Sequence, residues 1–139
     1  MLQPSPVNSD KRVLIVDDDR AIYNACHLLL KHYEFDVLVA PTLAQARLHL
    51  ASRPHLVLLD LSLPDGDGVQ LLGAIRRGSA GTRVFVLTGD MTAGTEARVR
   101  RLSPDRYFHK PLNFIEVLEA MRECLEESTP AAKAGELRW

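Results

Sequence analysis

The sequence predicts an open α/β domain, a five-stranded parallel sheet with helices on both faces. Three observations predict it. Short apolar runs alternate with stretches of helical periodicity about five times along 139 residues, the pattern of a parallel sheet with right-handed crossovers. Three of the runs, Val13–Val16, Leu56–Leu59 and Val84–Leu87, are apolar at every position, as strands buried on both faces are. The other two, Phe35–Val39 and Tyr107–His109, mix polar with apolar residues and suit the edges. The order 2-1-3-4-5 places the mixed strands outermost. It makes the domain a flavodoxin-like, doubly wound three-layer sandwich, with a topological switch point between the first and third strands.

The connecting segments carry their own signals. Asp19 precedes a helix at about 20–32 and is placed to cap it. Ile22, Ala25, Cys26, Leu29 and Tyr33 recur there on one face. Thr42 caps a helix of about 43–51, with Leu43, Ala46 and Leu50 inward, and Arg53-Pro54 ends it. After the third strand, Leu63-Pro64-Asp65-Gly66 reads as a turn. A helix of about 68–77 follows, with Val69, Leu72 and Ile75 inward, and then a turn from Gly78 to Gly81. A weakly amphipathic helix of about 92–102 has Ala93, Ala97 and Val99 among polar residues, and Pro104 ends that region. The last helix, about 113–126, repeats Phe114, Val117, Leu118, Met121 and Leu125 at helical spacing.

Size and charge bound the function. One domain accounts for residues 11–127, leaving 1–10 as a polar, proline-containing lead-in and 128–139 as a tail or linker. The 17 basic and 18 acidic side chains sum to −1, so no global field draws nucleic acid or an anionic membrane. No apolar run reaches membrane-spanning length, and Met1–Pro6 has no apolar signal core. Cys26 and Cys124 lie far apart in helical patterns. They suggest neither a disulfide framework nor a metal cluster, and the expected compartment is the reducing cytoplasm. His27, His32 and His49 have no metal-like partner at i+4.

The chemistry gathers at the strand ends. Asp17 and Asp18 end the first strand, Asp60 the third, Thr88 the fourth and Lys110 the fifth. Singly, each has a plain reading as a cap, a turn residue or a surface charge. Five such residues at the edge where ligands bind in parallel sheets are not explained that way. Two carboxylates about 4 Å apart repel by about 4 kcal/mol at an effective dielectric of 20. A hard divalent cation relieves this, and Mg²⁺ uses one or two carboxylates plus waters. A metal, an ammonium and a hydroxyl around one carboxylate suit a phosphoryl group, with Asp60 as nucleophile. An EF-hand loop starting at Asp60 fails, because its twelfth position is Leu71. An Asp-x-Asp phosphatase motif fails at Ser62.

Four motifs carry a resemblance: Val-Asp-Asp-Asp at 16–19, Leu-Leu-Asp-Leu-Ser-Leu-Pro-Asp-Gly-Asp-Gly at 58–68, Val-Leu-Thr-Gly at 86–89 and His-Lys-Pro at 109–111. Over residues 11–127 the chain resembles a two-component response-regulator receiver domain. The resemblance implies a phosphoacceptor, Asp60, charged by a sensor histidine kinase or a histidine phosphotransfer protein. Asp17, Asp18, Asp60 and the backbone carbonyl of Ser62 would hold Mg²⁺. Thr88 would bond the phosphoryl oxygen, Lys110 would pair with it, and Tyr107 would swing inward when Thr88 moves. Such a domain catalyses its own phosphorylation and dephosphorylation and is not a metabolic enzyme. Ser62 and Asp90, two residues beyond Asp60 and Thr88, lie where side chains can reach an attacking water and tune phosphoryl lifetime. The face of residues 92–126 carries Arg98, Arg101 and Arg106 opposite Glu116, Glu119 and Glu123. It can pair with itself in a homodimer or dock an output partner. The alternative is a receiver-fold interaction module without phosphoryl turnover. The chain departs from the family at Leu102-Ser103-Pro104-Asp105-Arg106, where a Gly-Ala stretch is common, and at His109, more often apolar.

Overall fold

A computed structural model of the chain describes residues 11–78, 81–89 and 92–126. The sequence-predicted lead-in and tail, and Asp90, lie outside them. The strands are β1 (Arg12–Val16), β2 (Asp36–Ala40), β3 (Leu56–Asp60), β4 (Arg83–Thr88) and β5 (Arg106–His109). The helices are α1 (Arg20–His32), α2 (Leu43–His49), α3 (Gly68–Gly78), α4 (Ala93–Arg101) and α5 (Phe114–Glu126). The sheet runs β2-β1-β3-β4-β5, every pair parallel. This is the flavodoxin-like order expected from which strands are wholly apolar.

The register explains the apolar runs. Leu14 sits beside Leu38 and Val57, and Leu58 beside Phe85. Alternate residues face opposite cores. Val13, Ile15, Leu56, Leu58, Phe85 and Leu87 join Cys26, Leu30 and the inner residues of α5 on one side. Leu14, Val16, Val57, Leu59, Val84 and Val86 join α2, α3 and Val99 of α4 on the other. Edge strand β2 is only half-buried from Asp36 to Val39.

Caps fix where the helices start. Asp19 accepts from the amides of Ala21 and Ile22 at 3.0 and 3.4 Å. Thr42 accepts from Gln45 at 3.1 Å, and Asn113 from Ile115 and Glu116 at 3.1 and 3.2 Å. Helix α2 stops at His49 and tightens into one 3₁₀ turn, Leu50–Ser52, ended by Arg53 in the left-handed region at φ 55°.

Three details go beyond the sequence expectation. In α1 the deepest residues are Cys26 and Leu30, while Leu29 is half-buried. The helix is rotated so that Leu30 meets Phe35 in the core. In α4 only Val99 is buried, and Ala93 and Ala97 are exposed, so the helix rests on the domain's rim by one residue. The segment after β3 is a small antiparallel hairpin, pairing Ser62 with Asp67 and Leu63 with Gly66. At its tip Asp65 accepts from the amides of Leu43 and Ala44 at 2.8 and 3.0 Å, and these bonds hold its carboxyl below the ordinary range. Gly66 has φ 151°, a backbone conformation in which any side chain is strained, and a Cβ there would also displace the tip of Leu43, 2.8 Å away.

The departure at 102–106 is held by one arginine. Arg76 of α3 donates from Nε to Leu102 O at 3.2 Å and from Nη1 to Thr82 O at 3.0 Å. Its Nη2 reaches Ser103 O and Asp105 Oδ2, each at 2.9 Å. Asp105 Oδ2 also accepts from the Val84 amide at 2.8 Å, and Oδ1 lies 3.3 Å from Arg83 Nη1. Ser103 takes φ 51° to present its carbonyl. The planar guanidinium thus ties residues 102–105 to the end of α3 and the start of β4.

Candidate functional site

Strand β1 pairs with β3 up to Val16 and Leu59, so the next residues, Asp17 and Asp60, emerge side by side at the C-terminal edge. Asp17 is fully buried and Asp60 nearly so, while Asp18 is exposed. One carboxylate oxygen from each of the three lies within 4.8 Å of the others. Asp17 Oδ1 accepts from the Asp19 amide at 2.9 Å, and Asp60 Oδ1 from the Ser62 amide at 3.1 Å.

Lys110 closes the group from the far edge. The Lys110 amide bonds Thr88 O at 2.8 Å, tying the ends of β5 and β4. Its Nζ lies 3.2 Å from Asp60 Oδ2 and 3.1 Å from Asp17 Oδ2. Its hydrogen-bonding direction in Asp17 is toward Oδ1, at 3.4 Å. Asp17 Oδ2 is therefore buried beside a cation yet makes no hydrogen bond.

The electrostatics follow from this packing. Burial, reinforced by the charge of Asp60, pushes the Asp17 carboxyl up to about 6, against the pull of the Asp19 amide and Lys110. Burial alone would lower the Lys110 ammonium, but Asp17 and Asp60 together outweigh it and hold it above its ordinary value. Beneath the site, burial and then the charge of Asp17 push the Cys26 thiol up to about 12, so it stays protonated and inert.

The donor set is all oxygen, three carboxylates face one ammonium, and one buried oxygen lacks a hydrogen bond. These residues fit a hard divalent cation. Thr88 is buried at the end of β4, and Ser62 is exposed. Tyr107 is half-buried against the α2–α3 side of the core, its ring centroid 5.7 Å from that of exposed His109. Arg98 does not face the α5 glutamates; its Nη2 pairs with Asp67 Oδ2 at 2.9 Å. Arg106 lies over the Phe108 ring at 5.3 Å. The sequence places Asp65 in a turn and gives Asp67 no role of its own. An aspartate two residues before Val69, at a helix start, was the available signal for the α3 cap.

A carboxylate cluster with one lysine at the switch point of a doubly wound parallel sheet defines a protein of the open α/β class with surplus negative charge at its ligand-binding edge. The family model described as the response regulator receiver domain matches residues 13–122, and the chain belongs to that family. It is 32% identical over 139 residues to the acid tolerance regulatory protein ActR of Rhizobium meliloti (strain 1021), covering 96% of this chain and 71% of ActR. It is 34% identical over 114 residues to the KDP operon transcriptional regulatory protein KdpE of Escherichia coli (strain K12), covering 81% of this chain but only 50% of KdpE. A CheY-like response regulator receiver domain protein from Methanospirillum hungatei JF-1 superposes with a TM-score of 0.79 at 30% identity, over 84% of this chain and 94% of that one. No helix among the described residues is long and apolar enough to cross a membrane.

Proposed function

We propose that Asp60 is the phosphoacceptor of a two-component phosphorelay. A carboxylate oxygen of Asp60 attacks the phosphorus of a phosphohistidine on a sensor histidine kinase or histidine phosphotransfer protein. The P–N bond breaks, and its electron pair returns to the imidazole. Lys110, already 3.2 Å from Asp60, pairs with the charge that develops on the transferring group. Thr88 donates its hydroxyl to a phosphoryl oxygen. Asp17, Asp18, Asp60 and the Ser62 carbonyl would hold Mg²⁺, which when bound neutralises part of the phosphoryl charge. Ser62 and Asp90 set the lifetime of the product by placing or excluding water.

The observation that carries this reading is the single ammonium of Lys110 spanning the buried carboxylates of Asp17 and Asp60. It anchors the cluster while leaving its net charge negative, as binding of a cation followed by a phosphoryl group requires.

Movement of Thr88 and Lys110 toward the phosphoryl group draws on Tyr107 and reshapes the face of residues 92–126. Two charge-assisted contacts at about 1.5–3 kcal/mol each approach the ~5.5 kcal/mol that turns a 1:99 population into 99:1. Homodimerisation, for which that face is the surface proposed, accords with the beryllofluoride-activated NtrC4 receiver domain being solved as a dimer, at 27% identity and a TM-score of 0.75. A cytoplasmic location accords with the reduced cysteines Cys26 and Cys124.

The test is intact mass after incubation with acetyl phosphate and Mg²⁺. The wild type gains one phosphoryl group and Asp60→Asn gains none. Labelling that persists in Asp60→Asn places the nucleophile elsewhere.

A further inference from the structure

We propose that Asp67 and Arg98 are positioning residues for the switch. Their ion pair latches the last turn of α4, in its resting place, to the hairpin that follows Asp60. The latch is a route from the phosphoacceptor to the switching face separate from Thr88 and Tyr107. It rests on the reading of Asp60 as phosphoacceptor.

The first part of the route is backbone against backbone. A Cβ on Gly68 would come within 2.6 Å of Asp60 O and 2.8 Å of Leu61 Cα, and the Gly68 amide donates to Leu61 O at 2.9 Å. The residue after Asp67 therefore rests directly on the main chain of Asp60, and a shift there reaches Asp67 with little slack. Asp67 is itself oriented. Its Oδ1 accepts from the Val69 amide at 2.9 Å, leaving Oδ2 aimed at Arg98 Nη2, also at 2.9 Å.

The second part is the way α4 is held. Its C-terminal end runs into Leu102 and Ser103, whose carbonyls are bonded by Arg76. Its body is anchored in the core by Val99, the helix's one buried residue. In the same last turn the tie to the hairpin is Arg98, whose pair with Asp67 is 49% and 37% exposed on its two sides. Arg98 thus adds to the hold of Val99 and Arg76 a light, breakable link between this turn and the hairpin on Asp60, and its loss shifts α4 between its resting and activated placements. An ion pair this exposed biases such an equilibrium rather than locking it, by about two- to fivefold in population.

The other α4 ion pair makes the control. Arg100 and Glu96 pair at 3.1 Å within the helix, four residues apart, and connect it to nothing else. Asp67→Asn keeps an oxygen for the Val69 amide and removes only the charge, so it separates the latch from the α3 cap.

The experiment is amide NMR on the full chain, with and without Mg²⁺ and beryllofluoride, a phosphoryl mimic. In unphosphorylated Asp67→Asn and Arg98→Gln, the amides of residues 95–101 and 107 should move along the line joining the wild-type resting and beryllofluoride positions. The displacement should correspond to a two- to fivefold rise in the activated fraction. Arg98→Lys should return most of the way to the resting position, and Glu96→Gln should stay there. Displacements off that line, none at all, or an equal displacement in Glu96→Gln overturn the latch. The amides of Leu61 and Ser62 report the site itself. If they ignore beryllofluoride in the wild type, the phosphoacceptor reading fails and takes the latch with it. If they respond while the two charge-removing variants stay at rest, the latch alone is wrong.

Discussion

Two clusters of inward-facing charge lie at opposite edges of the same sheet, and they differ in how their charges are satisfied. At the N-terminal edge Arg76 and Asp105 form a closed account of donors and acceptors. Asp105 Oδ2 takes both Arg76 and the Val84 amide, Oδ1 faces Arg83, and the other Arg76 donors end on carbonyls. At the C-terminal edge three carboxylates lie together, one ammonium pairs with two of them, and Asp17 Oδ2 has no hydrogen bond. The first cluster is completed by the chain's own atoms and serves structure. The second keeps surplus negative charge at the edge where ligands bind in parallel sheets, which is the condition for holding a cation.

Breaking the completed cluster should have the largest effect on stability. Arg76→Ala leaves Asp105 with only the Val84 amide and Arg83 and takes the guanidinium from three carbonyls, and should lower the unfolding free energy by about 1.5–3 kcal/mol. Arg76→Lys should recover little of it, because one ammonium cannot match a planar fork on four acceptors. Urea unfolding of the three proteins checks this. Equal stability in all three would place the hold on residues 102–105 elsewhere.

The incomplete cluster should respond in the opposite direction. A carboxyl whose pKa rises on folding, here from 3.8 to about 6, favours the folded state while protonated and opposes it once ionised. Its contribution to stability therefore falls as pH rises from about 4 to about 6. Asp17→Asn removes that loss while keeping an oxygen for the Asp19 amide. Without Mg²⁺ the variant should match the wild type near pH 4 and exceed it at pH 7, by at most about 3 kcal/mol at 1.36 per pKa unit. Denaturant midpoints across this range give the difference directly. A variant less stable than the wild type at pH 7 would mean that Lys110 fully offsets the burial of Asp17.

Most of the fold, and the place of the site within it, were legible in the sequence for one reason. A strand buried on both faces is apolar throughout, and the first charged residue after such a run marks its C-terminal edge. Val16-Asp17 and Leu59-Asp60 carry that signal. Thr88 and Lys110 lie at the ends of the next two strands, where the motifs Val-Leu-Thr-Gly and His-Lys-Pro, rather than an apolar run into a charge, mark them. The caps Asp19 and Thr42 were legible because they act within three residues of themselves. Contacts set by tertiary packing were hidden. Arg76 meets Asp105 across 29 positions, and Arg98 meets Asp67 from a different helix. The choice of Leu30 over Leu29 turns on a small rotation of α1, which periodicity in a run of three leucines does not resolve. Helix α4 misled through its alanines, which are compatible with either face of a helix at the rim.

The most direct test of the contrast between the two clusters is unfolding free energy measured against Mg²⁺ at pH 7 in the wild type and Asp17→Asn. The wild type should start lower and climb, by about 2.7 kcal/mol once Mg²⁺ reaches a hundred times its Kd. Asp17→Asn should start higher and climb far less, so the two curves converge or cross. Parallel curves would contradict the account, because Mg²⁺ would then be indifferent to Asp17 Oδ2, the buried carboxylate oxygen that makes no hydrogen bond.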